Sequence, residues 1–422
     1  MRRRWLLTIG TVLLLTACGG GRTKQYNPLQ VDFSATYNPM FEGQLYPSLI
    51  MGMANLEESY NGASSVGEPS DNALFSVSVT SPANNAILRI TVDSSNLNYV
   101  TIIQEELPRR GQRYTFYPTL RWKYDKLYRT RQQGAIDLSF TCYINDEEVD
   151  VKNMHLHYRS VNDCLLSIRD TAGVHHDYRW MFAAYVNEEH PYTDTILSGM
   201  LQQGVVNKIM GYQSTSQHVV DQVEAIWHYA LQHGITYSSI SCTANPTKRS
   251  NVQRIRFFDE VYNTRQANCI DACVFFASVM RHIGLKPVIF VEPCHAYLGY
   301  YTDKNRRKMR LLETTITGWV DFNALERSLE PEAHGVDRLP AAQYAKVSKY
   351  LTEAERKRWE EDRMTFDELK HAVAHNLFVR ASEYDNDNYK ANRELFNSPE
   401  NMQYQRLDIE QLRSQVKPIT GE

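Results

Sequence analysis

The residues of this chain that could do chemistry together are a cysteine, a histidine and an acid, in the order Cys269, His295 and Glu313. A thiol becomes a nucleophile when a neighbouring base takes its proton, and the base works best when a carboxylate orients it. These residue types are the parts of such a system. They predict nucleophilic catalysis, provided that the fold brings the three side chains together.

The cysteine stands where a helix is predicted to begin. Apolar residues then recur at helical spacing, namely Ala272, Phe275, Phe276, Val279 and Ile283. Gly284 and Pro287 end the pattern. The unpaired N–H groups and the dipole of a first helical turn favour a thiolate and can hold an oxyanion beside it. Cys269 therefore has a better position for chemistry than Cys273, which we interpret as a core residue one turn later.

A hairpin is predicted to carry the other two residues. His295 opens a strand, residues 302–308 form a polar turn, and residues 309–315 form the returning strand. Folding about Lys304–Asn305 places His295 opposite Glu313 or Thr314. The carboxylate would fix the imidazole tautomer and leave the second ring nitrogen for the thiol.

This stretch resembles the transglutaminase-like superfamily, which includes papain-like-fold peptidases. The matching residues are Cys269-Ile270-Asp271, Arg281, Gly284-Leu285-Lys286-Pro287 and Cys294-His295-Ala296-Tyr297, within about residues 217–317. The resemblance implies that Cys269 is the nucleophile, His295 the general base and Glu313 the orienting acid. It implies acyl transfer through a thioester.

Two positions depart from the family pattern. The aromatic residue two positions after the histidine is often Trp in the family and is Tyr297 here, which is a mild change. Glu313 stands where the family usually has Asp. Asp303 is a rival for the third role, but it lies in the predicted turn. Asp271 is expected to brace the start of the helix.

Three functions are compatible with these residues. We favour a hydrolase, a cysteine peptidase or amidase acting on peptide or peptidoglycan-peptide amides, without cofactor or metal, because water is the abundant second nucleophile. The second is an inactive binding or assembly protein that keeps the fold. The third is a zinc site built from Cys269, Cys273, Cys294 and His295.

The first residues indicate export. Arg2-Arg3-Arg4 precedes an apolar run that is short for a membrane span, and Leu15-Thr16-Ala17-Cys18 follows. This arrangement resembles a bacterial lipoprotein signal, which implies cleavage before Cys18, lipid on its sulfur and anchoring in a membrane. Residues 19–24 contain no acid, which favours the periplasmic face of the outer membrane of the cell envelope.

Composition excludes some partners and leaves the disulfides open. The net charge of −3 over 422 residues gives no basis for nucleic-acid binding. Six cysteines follow Cys18, and in an oxidising compartment they could pair. Their spacing is not that of a small disulfide-stapled fold.

The predicted fold class is α+β. Alternating apolar residues such as Phe75, Val77 and Val79 predict an antiparallel β-sandwich. The predicted regions are a signal peptide (1–17), a lipidated cysteine with tether (18–25), the sandwich (26–165), a transglutaminase-like, papain-like domain (166–340) and a helical C-terminal extension (341–422). A helix is predicted over about 196–212 and another over 217–233, ended by Gly234.

Overall fold

The computed structural model describes residues 31–54, 73–238, 247–331, 337–398 and 400–421. The predicted signal peptide, Cys18 and the tether lie outside these residues, as does Cys242. Within the described part of the chain, no helix combines the length and apolar character that crossing a bilayer requires. The protein has a mixed α+β fold, which confirms the predicted class at that level.

Antiparallel strands dominate the first part of the chain. The elements are β1 (Phe33–Tyr37), β2 (Gln44–Leu45), α1 (Pro47–Gly52), β3 (Phe75–Thr80), β4 (Ala86–Val92), β5 (Thr101–Leu107), β6 (Arg113–Phe116), α2 (Tyr124–Tyr128), β7 (Gly134–Ile144) and β8 (Glu147–Tyr158). One sheet has the order β1-β3-β6 and another has the order β2-β8-β7-β4-β5. Phe75, Val77 and Val79 are buried on one face of β3, so the predicted period of two is confirmed there. Phe75 packs on Phe140 of β7 with ring centroids 5.8 Å apart.

The middle of the chain is mainly helical. Its elements are β9 (Asp163–Arg169), β10 (His175–Asp177), α3 (Phe182–Tyr185), α4 (Tyr192–Gln202), α5 (Ser216–His233), β11 (Thr236–Tyr237), β12 (Ser250–Arg254), α6 (Phe258–Thr264), β13 (Gln266–Ala267) and α7 (Cys269–His282). Strand β9 lies between β10 and β12. The predicted boundary between residues 165 and 166 therefore falls inside a strand, and that strand pairs with the later part of the chain.

The helix predictions in this region have two outcomes. Helix α5 ends at Gly234, whose φ of 86° is left-handed, as its apolar periodicity and glycine predict. The helix predicted over about 196–212 is displaced: α4 spans Tyr192–Gln202. Its chain turns away at Gly204, where φ is 73°, a conformation that glycine adopts without strain.

The last part of the chain completes a four-stranded antiparallel sheet. Its elements are β14 (Pro287–Glu292), β15 (His295–Tyr301), β16 (Met309–Leu312), α8 (Phe322–Glu326), β17 (Glu330–Pro331), β18 (Asp337–Arg338), α9 (Ala341–Ser348), α10 (Glu353–Glu360), α11 (Phe366–Glu383), α12 (Asn386–Asn397), β19 (Gln405–Asp408) and α13 (Ile409–Leu412). The strand order is β16-β15-β14-β19.

Residues 341–421 are mainly helical, as predicted, but they also contain the strand β19, which was not predicted. This strand pairs with β14, with Leu407 opposite Ile289. Its four residues are too few to show a period of two, so the sequence pattern alone did not reveal it. The C-terminal region is therefore built into the sheet that carries His295.

Helix α11 fixes the C-terminal region against the earlier helices. The indole N–H of Trp227, on α5, donates to the carbonyl oxygen of Ala374 at 3.1 Å. Trp227 is fully buried, and it packs on Phe276 of α7 with ring centroids 6.0 Å apart. Helices α5, α7 and α11 thus share one core beside the sheet.

Candidate active site

A capping box fixes the start of α7, where Cys269 stands. The side-chain oxygen of Asn268 accepts from the N–H of Asp271 at 2.9 Å, and Asp271 accepts from the N–H of Asn268 at 3.1 Å. Arg256 also binds Asp271 through its own backbone N–H and its guanidinium, each at 2.8 Å. Asp271 is fully buried, and the prediction that it braces the helix start is confirmed.

A tight turn places His295 at the start of β15. His295 pairs with Glu292 across the β14–β15 hairpin, and Pro293 and Cys294 form the turn between them. Cys294 has a left-handed φ of 63° and is exposed. The turn directs the histidine towards the first turn of α7.

The structure brings Glu313 to His295 by a route that differs from the predicted one. Strand β16 ends at Leu312, paired with Leu298. The predicted strand up to residue 315, with His295 opposite Glu313 or Thr314, is therefore wrong. Glu313 instead caps a 3-10 helix over Thr314–Trp319, and its N–H donates to the carbonyl oxygen of Ala381 on α11 at 2.9 Å.

Glu313 and Cys269 contact the same imidazole. The Nε2 atom of His295 lies 2.7 Å from Oε2 of Glu313, and the other carboxylate oxygen accepts from the N–H of Thr315 at 2.7 Å. The Cys269 side chain lies beside the same ring and raises the pKa of His295. The Glu313 side chain is fully buried and that of His295 is 28% exposed. Solvent therefore reaches the histidine but not the acid.

The electrostatics of the network favour a protonated histidine beside the thiol. Hydrogen bonds to Cys269 and Glu313 raise the pKa of His295 to about 10, although burial opposes the shift. Burial acts to raise the pKa of Glu313, but the hydrogen bonds with His295 and Thr315 outweigh it and lower that pKa below its usual value. Both shifts favour a protonated imidazole beside an ionised carboxylate at neutral pH.

The structure adds a second acid that sequence reasoning missed. Asp385 lies between α11 and α12 and is 4% exposed. One ligand atom each of His295, Glu313 and Asp385 fall within 4.8 Å of one another. No motif or periodicity marks Asp385, and only the folding of the C-terminal region against the hairpin brings it here.

Among the described residues, His295, Glu313 and Asp385 are close enough together to hold a metal ion. Two atoms of this trio are already joined by the 2.7 Å contact between His295 and Glu313. A metal ion would have to replace that hydrogen bond in a pocket where Glu313 is fully buried. We therefore interpret the trio as a hydrogen-bonded network.

The remaining sequence candidates lie elsewhere. Cys273 is fully buried, with its sulfur 3.7 Å from the Thr314 hydroxyl, which confirms it as a core residue. Asp303 accepts from the N–H groups of its own turn, including that of Lys308 at 2.8 Å, so it is not the partner of His295. Cys269, Cys273, Cys294 and His295, the four ligands of the alternative zinc site, do not form a group with metal-ligand spacing among the described residues.

All five described cysteines are free thiols, namely Cys142, Cys164, Cys269, Cys273 and Cys294. Three of them are buried. Cys269 is half-buried, and Cys294 is exposed. The combination of partial access and a histidine partner is found at Cys269.

Comparisons with known proteins add little to this geometry. No protein-family model matches the chain, and no curated protein matches it. Among solved structures, red sea bream transglutaminase matches with 9% sequence identity over 63% of this chain and 52% of that chain, with a TM-score of 0.18. The match covers about half the length of that protein, and at this TM-score it carries no argument about fold or activity.

Proposed function

We propose that the protein is a cysteine peptidase or amidase that acts by acyl transfer, with Cys269 as nucleophile, His295 as acid and base, and Glu313 as the orienting carboxylate. The observation that supports it most is that one imidazole, His295, lies 2.7 Å from the Glu313 carboxylate and has Cys269 as its other neighbour, which raises its pKa. Each group has the neighbour that its role requires.

The first chemical step would form a thioester. The Cys269 sulfur attacks the amide carbonyl carbon, and the oxygen takes up the negative charge. The N–H groups of Cys269 and Ile270 begin α7 and have no acceptor within the helix, so they can hold that oxygen. When the C–N bond breaks, His295 gives its proton to the leaving amine.

The second step would release the acid. His295, now neutral, takes a proton from water as the water attacks the thioester carbonyl. The C–S bond then breaks and the protonated His295 faces the sulfur again. An amine could replace water in this step, but the partly exposed His295 is accessible to solvent, which favours hydrolysis.

The proposed substrates are peptide amides, including the stem peptides of peptidoglycan. We would incubate the purified protein with such peptides and with peptidoglycan fragments, and follow cleavage by mass spectrometry. Cleavage that Cys269→Ala abolishes and Cys273→Ala spares would support the proposal. A hydroxamate formed in the presence of hydroxylamine would identify the acyl-enzyme, whereas cleavage unchanged in Cys269→Ala would overturn it.

The same proposal includes the finer architecture. We propose that the sheets of β1-β3-β6 and β2-β8-β7-β4-β5 form a β-sandwich, with the contact between Phe75 and Phe140 in its core. We propose that α7 and the sheet β16-β15-β14-β19 form a transglutaminase-like, papain-like domain. This assignment rests on element order and on the position of Cys269 at the start of its helix.

We also propose that the protein is a lipoprotein anchored through Cys18 on the periplasmic face of the outer membrane. The support is the sequence resemblance of residues 1–18 to a lipoprotein signal. Fractionation of cells expressing Cys18→Ser should show the protein leaving the membrane fraction. Retention in that fraction would contradict the anchor.

A further inference from the structure

We infer that Asp385 is a positioning residue of this site: a neutral carboxylic acid that donates a hydrogen bond to Glu313 and so holds the carboxylate that orients His295. The effect of Asp385 on catalysis rests on the proposed function. The protonation of Asp385 is independent of that function, because it affects the stability of the fold.

Two backbone contacts bring the acids together. The N–H of Glu313 donates to the carbonyl oxygen of Ala381 near the end of α11, at 2.9 Å. The chain then passes Tyr384 and reaches Asp385, whose carbonyl oxygen accepts from the N–H of Tyr389 at 2.8 Å. The corner between α11 and α12 is thereby fixed against the residue that it would position.

The surroundings of Asp385 provide acceptors and few donors. Its Oδ2 atom is buried without a hydrogen-bond partner, and one carboxylate oxygen each of Asp385 and Glu313 lie within 4.8 Å of each other. Two buried carboxylates cannot bond to each other unless one carries a proton. A proton on Asp385 satisfies its own oxygen and gives Glu313 a further donor.

Glu313 and not Asp385 keeps the negative charge for a structural reason. Glu313 already accepts from His295 and from the N–H of Thr315. The titratable groups near Asp385 are Glu313, His295, Glu292, Cys273 and Tyr297, and His295 is the cation among them. Glu292 in turn accepts from the side-chain amide of Asn388 on α12 at 2.8 Å, so its charge also faces this corner.

The pKa values agree with this geometry. Burial, followed by the charge of Glu313 and the hydrogen bond with it, raises the pKa of Asp385 to about 8. The ordinary value for the side chain is 3.8. Between these two values the unfolded chain releases this proton and the folded chain keeps it, so Asp385 lowers the stability of the fold as the pH rises.

Asp385→Asn tests the protonation state without an activity assay, because the amide keeps a donor and cannot ionise. We would measure the unfolding temperature of the full chain from pH 5 to pH 9. The difference, variant minus wild type, should rise between pH 5 and pH 8 and then level off. Asp408→Asn is the control, because Asp408 is also buried but faces Arg306 at 3.6 Å. Its difference should not rise in the same way.

A flat difference for Asp385→Asn would mean that Asp385 is ionised in the folded protein, and the inference would fail. Stoichiometric zinc or another divalent metal in the purified protein, held by this trio, would also overturn it. Either result leaves the role of Cys269 to be decided by its own experiments, so the two proposals can fail separately.

The positioning role needs a second readout, the rate at which iodoacetamide alkylates Cys269. Asp385→Ala should slow this reaction about tenfold, as the loss of a supporting hydrogen bond commonly does. Asp385→Asn should restore most of the rate, because it restores the donor. Equal rates in wild type and both variants would refute the positioning role, whereas equal losses in both variants would indicate a need for the ionised acid.

Discussion

The first and the second turn of helix α7 each carry a cysteine, and the surroundings of the two thiols differ. Cys269, in the first turn, is half-buried and lies beside His295, whose pKa it raises. Cys273, one turn later, is fully buried and touches the Thr314 hydroxyl, and burial raises the pKa of its thiol. The two residues show that the position along the helix, and not the presence of a thiol, decides where chemistry can take place.

The largest expected effect separates the two cysteines directly. Cys269→Ala should lower peptide or amide turnover by roughly 10⁴-fold or more, because the nucleophile is lost. Cys273→Ala should leave turnover within about twofold and cost about 1 kcal/mol of stability, since it removes a buried sulfur. Turnover assays and urea unfolding of both variants provide the measurements. Similar losses of turnover in the two variants would contradict the different roles given to Cys269 and Cys273.

Glu313→Gln should give the next largest effect. The amide keeps the size of the side chain but no longer bears the charge that stabilises the imidazolium of His295, so turnover should fall about 10³- to 10⁴-fold. Asp303→Asn is the control, because Asp303 serves its own turn. A loss that is as large in the control would argue against Glu313 as the orienting acid.

A smaller effect concerns the pH dependence of stability around the first turn. The folded-state pKa of His295 is raised to about 10, so its stabilisation is complete below about pH 6.5 and is lost as the pH rises towards 10. Unfolding free energies of wild type and His295→Gln should therefore differ most near pH 6 and converge near pH 10.

His190→Gln is the control of opposite sign. Burial lowers the pKa of His190, so the wild type should gain stability relative to this variant as the pH rises towards 6.5. The same trend in both variants would mean that the His295 network does not hold the imidazolium.

The smallest effect is expected at the second turn. Thr314→Val removes the hydroxyl that contacts Cys273 at 3.7 Å and keeps the shape of the side chain. We expect a change in stability below about 1 kcal/mol and no change in the rate of alkylation of Cys269. A clear fall in that rate would show that the second turn belongs to the network after all.

The sequence predicted the parts of the site that are close together along the chain. The start of α7 near Cys269 follows from an apolar period at helical spacing, and the β15–β16 hairpin follows from two strands around a polar, charged turn. The register was wrong because cross-strand pairing ends at Leu312. Glu313 still reaches His295, since capping the 3-10 helix turns its side chain in that direction.

The parts that sequence reasoning missed come from far along the chain. Asp385 and β19 reach the site through the packing of the C-terminal region on the earlier helices, as at the contact of Trp227 on α5 with Ala374 on α11. A single buried aspartate and a strand of four residues have no periodicity to detect. Local patterns therefore predicted that Cys269 and His295 are neighbours, and tertiary packing brought Asp385 to them.

The most direct test of the account is the time course of iodoacetamide labelling at pH 7, followed residue by residue by mass spectrometry. Cys294 serves as the internal reference, because it is exposed and outside the network. We expect Cys269 to react faster than Cys294 in the wild type, and His295→Ala to remove this difference. Labelling of Cys269 that is no faster than that of Cys294, or is unchanged in His295→Ala, would contradict the account.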